Sequence, residues 1–233
     1  MSEYLHNINR INTIAKHLRG LLEEVVFLGG ACIQFYLDDP ELTPVRETKD
    51  IDGVFKVITK SEVMLLANKL RQLGFKEVSD SKNIYRWTKN KIIFDAVPQS
   101  EYDPFLEKNP WFNGFLTHSQ EQDLIDYKIK ILKLPYFIIT KLDAHADRGK
   151  SDYLSSHDFE DIITIIEGRS DYSEFKVLPD EGKKYVCAQL NEIIQDPKFE
   201  PLLPGLITPE VSTQAQMVTL VLKNLKTIVE YCS

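Results

Sequence analysis

The sequence predicts an α+β fold, in which a mixed sheet with flanking helices (residues 1–130) is followed by a helical domain (residues 131–233). Two observations predict it. In the first half, runs that alternate apolar and polar residues in the strand period are interleaved with stretches whose apolar residues recur every three or four. Beyond residue 130 nearly every pattern is helical, and that change of period sets the domain seam. Hydrophobic residues make up 43% of the chain and charged residues 27%, which provides a core without disulfides or structural metal.

Each element has its own signal. Residues 4–24 place Ile8, Ile11, Ala15, Leu18 and Leu22 on one helix face. Val25–Leu28 reads as a short buried strand ended by Gly29-Gly30, and Ala31–Leu37 resumes as a helix that Asp38-Asp39-Pro40 breaks. Residues 40–48 read as a loop. Asp50–Val57 alternates as a strand, with Ile51 on one face and Asp50 and Asp52 on the other. Ser61 is the expected N-cap of a helix through Leu73, stopped at Gly74. Lys76–Val78, Ile84–Thr88 and Lys91–Ala96 read as strands, the last two joined around Asn90. Residues 98–113 read as a loop and Ile129–Leu132 as a further strand. The second half holds helices over Tyr136–Arg148, Ser156–Glu167, 180–195 and 211–231.

Bulk properties exclude several classes. A net charge of -7 gives no global basic field for nucleic acid. Cys32, Cys187 and Cys232 are too few and scattered for a disulfide framework or a zinc site, which fits reduced thiols in a cytosol. There is no signal-peptide pattern, and no run approaches the roughly 18 apolar residues of a membrane span, so a soluble cytoplasmic protein with no membrane partner is expected. No P-loop, Gly-x-Ser-x-Gly or metal-spaced histidine pair is present.

The sharpest chemical feature is Asp50-Ile51-Asp52. In a strand its two carboxylates project from one face, about 7 Å apart at the backbone, and hard divalent cations prefer such oxygen donors. A solvated strand face is the alternative. Asp95 sits inside the apolar run Lys91–Val97, where a lone carboxylate is costly to bury without a partner; an edge strand turned to water is its alternative. Three carboxylates on adjacent strands suit phosphoryl or nucleotidyl transfer with two divalent metals, magnesium or manganese. Gly29-Gly30, between a strand and a helix, lets phosphate oxygens approach backbone N–H groups, and taken alone it reads equally as a plain turn. Lys141, His145 and Arg148 share a face of one expected helix, and Asp158 and Asp161 share a face of the next. Salt bridges between these helices are the alternative to a role for Lys141 in binding. The aromatic cluster Tyr102, Phe105, Trp111, Phe112 and Phe115 either packs under the loop or stacks a base.

A Gly-Gly turn after a strand, then Asp-x-Asp on a strand, then an Asp on a later strand, resembles the DNA polymerase β-type nucleotidyltransferase superfamily. Within it the chain is similar to the AbiEii/AbiGii toxin family. Pro135–Lys150 resembles that family's Lys-Leu-x-Ala…Arg motif, and His157–Ile162 its Lys-Asp-x-x-Asp-Leu motif. The resemblance implies a polymerase β-like sheet in which Gly29 and Gly30 cradle a triphosphate. It implies that Asp50 and Asp52 bind two metals, that Asp95 holds the catalytic one, that Lys141 contacts phosphate and that Asp158 orients the helical side of the site. Arg46 and Thr48, just before Asp50, fit the same pattern, with Arg46 neutralising phosphate, and Arg148 joins the nucleotide-binding set. There are departures: the superfamily commonly has Gly-Ser where Gly29-Gly30 stands, Ala31 replaces a hydroxyl residue, and His157 replaces a lysine.

The expected reaction moves a nucleoside monophosphate from a nucleoside triphosphate to an acceptor hydroxyl, on tRNA, a protein or a small molecule. The resemblance implies a toxin with an antitoxin partner. Two other readings use the same residues. One is a nucleotide-binding regulatory module with no turnover; the other is an interaction protein whose aspartates are surface charges.

Overall fold

The structure, a computed structural model, describes residues 2–57, 59–79, 83–99, 112, 114–149, 152–207 and 214–233, with the backbone alone at 148 and 149. The expected α+β architecture is present, as a seven-stranded mixed sheet with flanking helices and a helical C-terminal part. The chain divides into two compact units. The first comprises Met1–Cys32 and Arg46–Lys133, the second Ile33–Val45 and Leu134–Ser233.

In the first unit, α1 (Glu3–Leu18) buries Ile11, Ile14, Ala15 and Leu18, the stripe that its spacing of three and four produces. The strands are β1 (Val25–Leu28), β2 (Asp50–Phe55), β3 (Lys76–Glu77), β4 (Arg86–Lys89), β5 (Ile92–Pro98), β6 (Ser119–Asp123) and β7 (Lys128–Leu132). Their order in the sheet is β3-β4-β5-β2-β1-β7-β6. β2 and β5 therefore lie in the interior, side by side and parallel. That placement removes the edge-strand alternative for Asp95. Phe94, next to it in sequence, is fully buried and gathers Phe27, Phe55 and Phe75 with ring centroids 6.4, 6.2 and 5.8 Å away.

Two local details differ from expectation. α2 (Lys60–Gln72) is capped by Thr59, not Ser61. The Thr59 hydroxyl accepts from Glu62 N at 3.3 Å, while Glu62 Oε2 accepts from Thr59 N at 2.8 Å, a reciprocal capping box. The segment after the Gly-Gly turn is a 3₁₀ helix, Gly30–Tyr36, not an α-helix. β4 and β5 form a tight hairpin on Asn90 and Lys91, whose φ angles of 51° and 64° have the sign that two-residue hairpin turns require.

The second unit is helical: α3 (Leu134–Ala144), α4 (His157–Gly168), α5 (Asp180–Gln195), α6 (Phe199–Leu202) and α7 (Gln214–Cys232). α3 continues into a π-helical turn, His145–Gly149. α4 buries Phe159, Ile162, Ile163, Ile165 and Ile166, and its first turn is capped by Ser156, whose hydroxyl accepts from Phe159 N at 3.2 Å. Residues 33–45 are stitched to the far end of α4. Asp38 N donates to Gly168 O at 2.9 Å, the Ser170 N–H and hydroxyl donate to Asp38 Oδ2 at 2.9 and 2.6 Å, and Arg169 donates to Tyr36 O at 3.1 Å. Tyr36 also packs on Phe137, ring centroids 4.5 Å apart. Among the described residues no helix is long and apolar enough to cross a membrane.

Candidate functional site

Strand register brings the first group of expected residues together. Leu28 on β1 lies opposite Asp52 on β2, Asp52 lies opposite Asp95 on β5, and Asp95 lies opposite Arg86 on β4. Asp50, two residues before Asp52, shares its face of the sheet. Asp50 and Asp52 are half-buried, whereas Asp95 is 4% exposed. The pattern of alternation thus does what the sequence suggested: Ile51 is fully buried on the opposite face.

The turn beyond β1 is built around what lies over it. Gly29 has φ +78°, and a Cβ added there would run into the Asp52 carboxylate. A Cβ on Gly30 would come within 2.5 Å of Arg46 Nη2 and 2.8 Å of Thr48 Cγ2. The Arg46 guanidinium therefore fills the space in which a side chain at position 30 would begin, and a serine there would have to displace it. α1 fixes the approach to β2: Arg10 donates to Thr48 O at 2.5 Å and to Lys49 O at 2.7 Å, and the Thr48 hydroxyl donates to Asn7 Oδ1 at 3.1 Å. Thr48 is buried, so what it presents to the turn is its methyl group. The result is a cationic guanidinium beside a backbone turn, next to a face carrying carboxylates.

Arg86 is the residue that sequence reading missed. Its Nε donates to Asp95 Oδ1 at 2.8 Å and its Nη2 to Asp95 Oδ2 at 2.7 Å, a bidentate fork, while the same Nη2 donates to Asp50 Oδ2 at 2.7 Å. The hydrogen bond to Asp95 holds the guanidinium pKa above its ordinary value, against burial and with help from the charges of Asp95, Asp50 and Asp52. A signal for this contact was present. A two-residue turn on Asn90 and Lys91 puts position 86 opposite position 95, and the two residues carry opposite charge.

In kind and number the donors suit a hard divalent cation: three carboxylates on two neighbouring strands, two of them in register. Asp50 and Asp95 converge on one positive group, the Arg86 guanidinium. Among the described residues, however, no three His, Cys, Asp or Glu side chains are gathered so as to hold a single metal ion.

The second group lies in the helical unit. Lys141 on α3 is 7% exposed, and its ammonium donates to Asp161 Oδ2 at 2.6 Å and Asp158 Oδ1 at 3.0 Å on α4. Burial pulls its pKa down, but Asp161 and then Asp158 outweigh this and the net shift is upward. Its carboxylate partners are thus the salt bridges between helices that the sequence left open. His145 Nδ1 and Ser156 Oγ are hydrogen-bonded at 2.8 Å, and burial lowers the His145 pKa against the opposing pull of Asp158 and Asp152. Arg148 falls in the π-helical turn, and its side chain lies outside the described residues, as do Tyr102, Phe105 and Trp111. Phe112 and Phe115 are buried and pack edge-to-face at 5.0 Å, which favours the packing role for this pair.

No family model matches the chain, and no curated protein does. Among solved structures it is similar to an antigenic nucleotidyltransferase-like protein from Paracoccidioides brasiliensis. The identity is 16% and the TM-score 0.54, over 86% of this chain and 91% of that one. It is also similar to the antibiotic-resistance factor ANT(2'')-Ia, with 14% identity and a TM-score of 0.46 over 69% of this chain and 83% of that one. The first likeness is one of fold, and the fold is nucleotidyltransferase-like.

Proposed function

We propose that the chain is a metal-dependent nucleotidyltransferase. The observation that carries this reading is the adjacency of two opposite chemistries. Arg46 lies over the Gly29-Gly30 turn, and the carboxylate of Asp52, in register with Asp95, lies beside the same turn. A triphosphate with its cation has the same two halves, an anionic chain and a positive ion bound to it. Arg46 and the turn's backbone would bind the phosphates, while Asp50, Asp52 and Asp95 would hold the cation.

Magnesium or manganese, when bound, would polarise the α-phosphate and favour loss of the acceptor hydroxyl's proton. The acceptor hydroxyl gives up its proton to water as its oxygen bonds to the α-phosphorus; the bond to the bridging oxygen breaks, and pyrophosphate leaves with that electron pair. Asp52, held against Gly29, and Asp95, clasped by Arg86, fix their carboxylates before substrate arrives. On the resemblance of the motifs we assign the protein the role of a toxin with an antitoxin partner, acting in the cytoplasm on a tRNA, protein or small-molecule hydroxyl. For Lys141, Asp158 and Arg148 the phosphate-binding and orienting roles rest on that resemblance alone. A specific observation favours a second reading, a nucleotide-binding regulatory module without turnover: Arg86 already engages Asp50 and Asp95.

The test is label transfer. The protein is incubated with magnesium and each α-labelled nucleoside triphosphate, alone and with total tRNA, beside an Asp50→Ala/Asp52→Ala double variant. Label on RNA or protein that the variant fails to transfer supports the enzyme. Magnesium-dependent triphosphate binding without transfer to any acceptor class supports the regulatory module.

A further inference from the structure

We infer that Cys187 and Cys232 form a redox modification site, a thiol pair that a peroxide closes into a reversible disulfide stapling the end of α7 to α5. The pair lies wholly within the helical unit and is independent of the chemistry proposed for the strand face.

Helix packing brings the two cysteines to one place. α5 and α7 are packed neighbours, and Lys183, Cys187 and Asn191 recur every four residues, so they form one stripe of α5. The last turn of α7 meets that stripe. Cys187 Sγ accepts from Asn191 Nδ2 at 3.2 Å and lies 3.8 Å from the hydroxyl of Ser233, the residue that follows Cys232. Cys232 is buried, and its thiol feels the charges of Cys187 and Lys183, both on the same stripe. Cys232 is also the last residue of α7, so the adjustment that disulfide geometry demands falls on a helix end and not on a helix interior. Cys32 provides the contrast: it belongs to the other unit, where its Sγ lies 3.5 Å from Leu28 O.

The two thiols are unequal, and the difference sets the order of events. Cys187 is half-buried and is the sulfur that an oxidant dissolved in water reaches. Burial, and then the charge of Cys187, push the Cys232 thiol up to about 11. Hydrogen peroxide transfers one oxygen to the Cys187 sulfur, leaving a sulfenic acid and releasing water. The Cys232 sulfur then attacks that sulfur. The S–S bond forms as the S–O bond breaks, and the departing hydroxide takes the Cys232 proton and leaves as a second water. Two thiols thus lose two electrons and two protons, while one peroxide becomes two waters. Because Cys232 holds its proton firmly, the second step is slow, and without an oxidant both cysteines rest as free thiols, as they stand in the structure.

The experiment is peptide mapping of the full chain after hydrogen peroxide, with thiols blocked by iodoacetamide on unfolding and trypsin digestion without reductant. A link between peptides 185–198 and 227–233 is expected, leaving Cys32 as the one blocked thiol of the three cysteines. The loop closed is about 45 residues long, so the melting temperature is expected to rise by roughly 5–10 °C and to fall back with dithiothreitol. In Cys232→Ser the sulfenic acid has no partner, and Cys187 is expected to run on to sulfinic acid, whereas the native chain is spared. Cys187 ending as sulfinic acid in the native chain as well, both thiols surviving the peroxide, or Cys187 linking two copies of the chain would each overturn the inference. The link is read on the native sequence, so a Cys232→Ser chain that failed to fold would leave the map to decide alone.

Discussion

The Lys141 ammonium sits 2.6 Å from Asp161 Oδ2, in a setting where both side chains are almost completely withdrawn from water. A buried pair of this kind adds little over a well-packed apolar pair, yet breaking it strands a charge. Lys141→Met is expected to cost about 3–5 kcal/mol in urea unfolding, because Asp161 and Asp158 lose their common partner. The pH dependence follows from the raised pKa. This stabilisation is complete below the unfolded lysine value of about 10.4 and is lost as pH rises through the folded value. A native protein whose stability does not decline in that alkaline window, beyond the decline seen in Lys141→Met, would count against the burial of this charge.

His145 gives the opposite edge of the pH profile. Burial lowers its folded pKa, so the neutral ring is the form that folding favours. The stability it contributes is complete above the unfolded histidine value of about 6.5 and is lost as pH falls through the folded value. His145→Gln is expected to flatten the dependence of the unfolding midpoint on pH between neutrality and pH 5, and melts at four or five pH values would decide it.

The turn after β1 is the place where a single methyl group is most damaging. Gly29→Ala forces φ +78° on an L side chain and pushes its Cβ into the Asp52 carboxylate. A loss of about 2 kcal/mol is expected from the backbone alone. Gly30→Ala drives Arg46 off the turn instead, so its melting temperature is expected to fall less than its affinity for a magnesium triphosphate. Calorimetric titration beside a thermal melt separates the two variants, and equal losses on both measures would refute the distinction.

Lys91 holds φ 64° in the β4–β5 hairpin, a conformation that glycine adopts freely. Lys91→Gly makes the Asn-Gly sequence that such turns prefer and is expected to stabilise by about 1 kcal/mol, a rise of roughly 2–4 °C in melting temperature. One residue inserted at the same turn is expected to move Arg86 to the other face of the sheet. The inserted variant should therefore lose the Arg86–Asp95 fork, visible as loss of protection at the Arg86 Nε–H.

What the sequence disclosed and what it withheld have physical reasons. Asp50 and Asp52 were legible because a strand's period of two is local, and Asp95 because a carboxylate in an apolar run needs a partner. Both β2 and β5 lie where those patterns put them, within a residue or two at each end. β6 was missed because Ser119–Asp123 has no apolar residue to alternate; it is held on the sheet's edge by backbone pairing with β7. Thr59 was passed over for Ser61, although the Thr-x-x-Glu spacing to Glu62 was there to read. Arg86 needed one further step, carrying a turn length across to the opposite strand. The assignment of residues 33–45 to the helical unit had no local signal at all, since Asp38 finds Ser170 only 132 positions later.

That last pairing has a consequence for synthesis. The first piece of the helical unit leaves the ribosome before most of the sheet exists, and its partners at Gly168 and Ser170 are made well over a hundred residues afterwards. The sheet must close around an absent stretch of chain, looping out residues 33–45 and rejoining at Arg46. A gene divided between Lys133 and Leu134 would keep the sheet unit whole and split the helical one: one product carries Asp38 with nothing to bind, the other Ser170 with no acceptor. Co-expressed, the two pieces should recognise each other through that missing stitch.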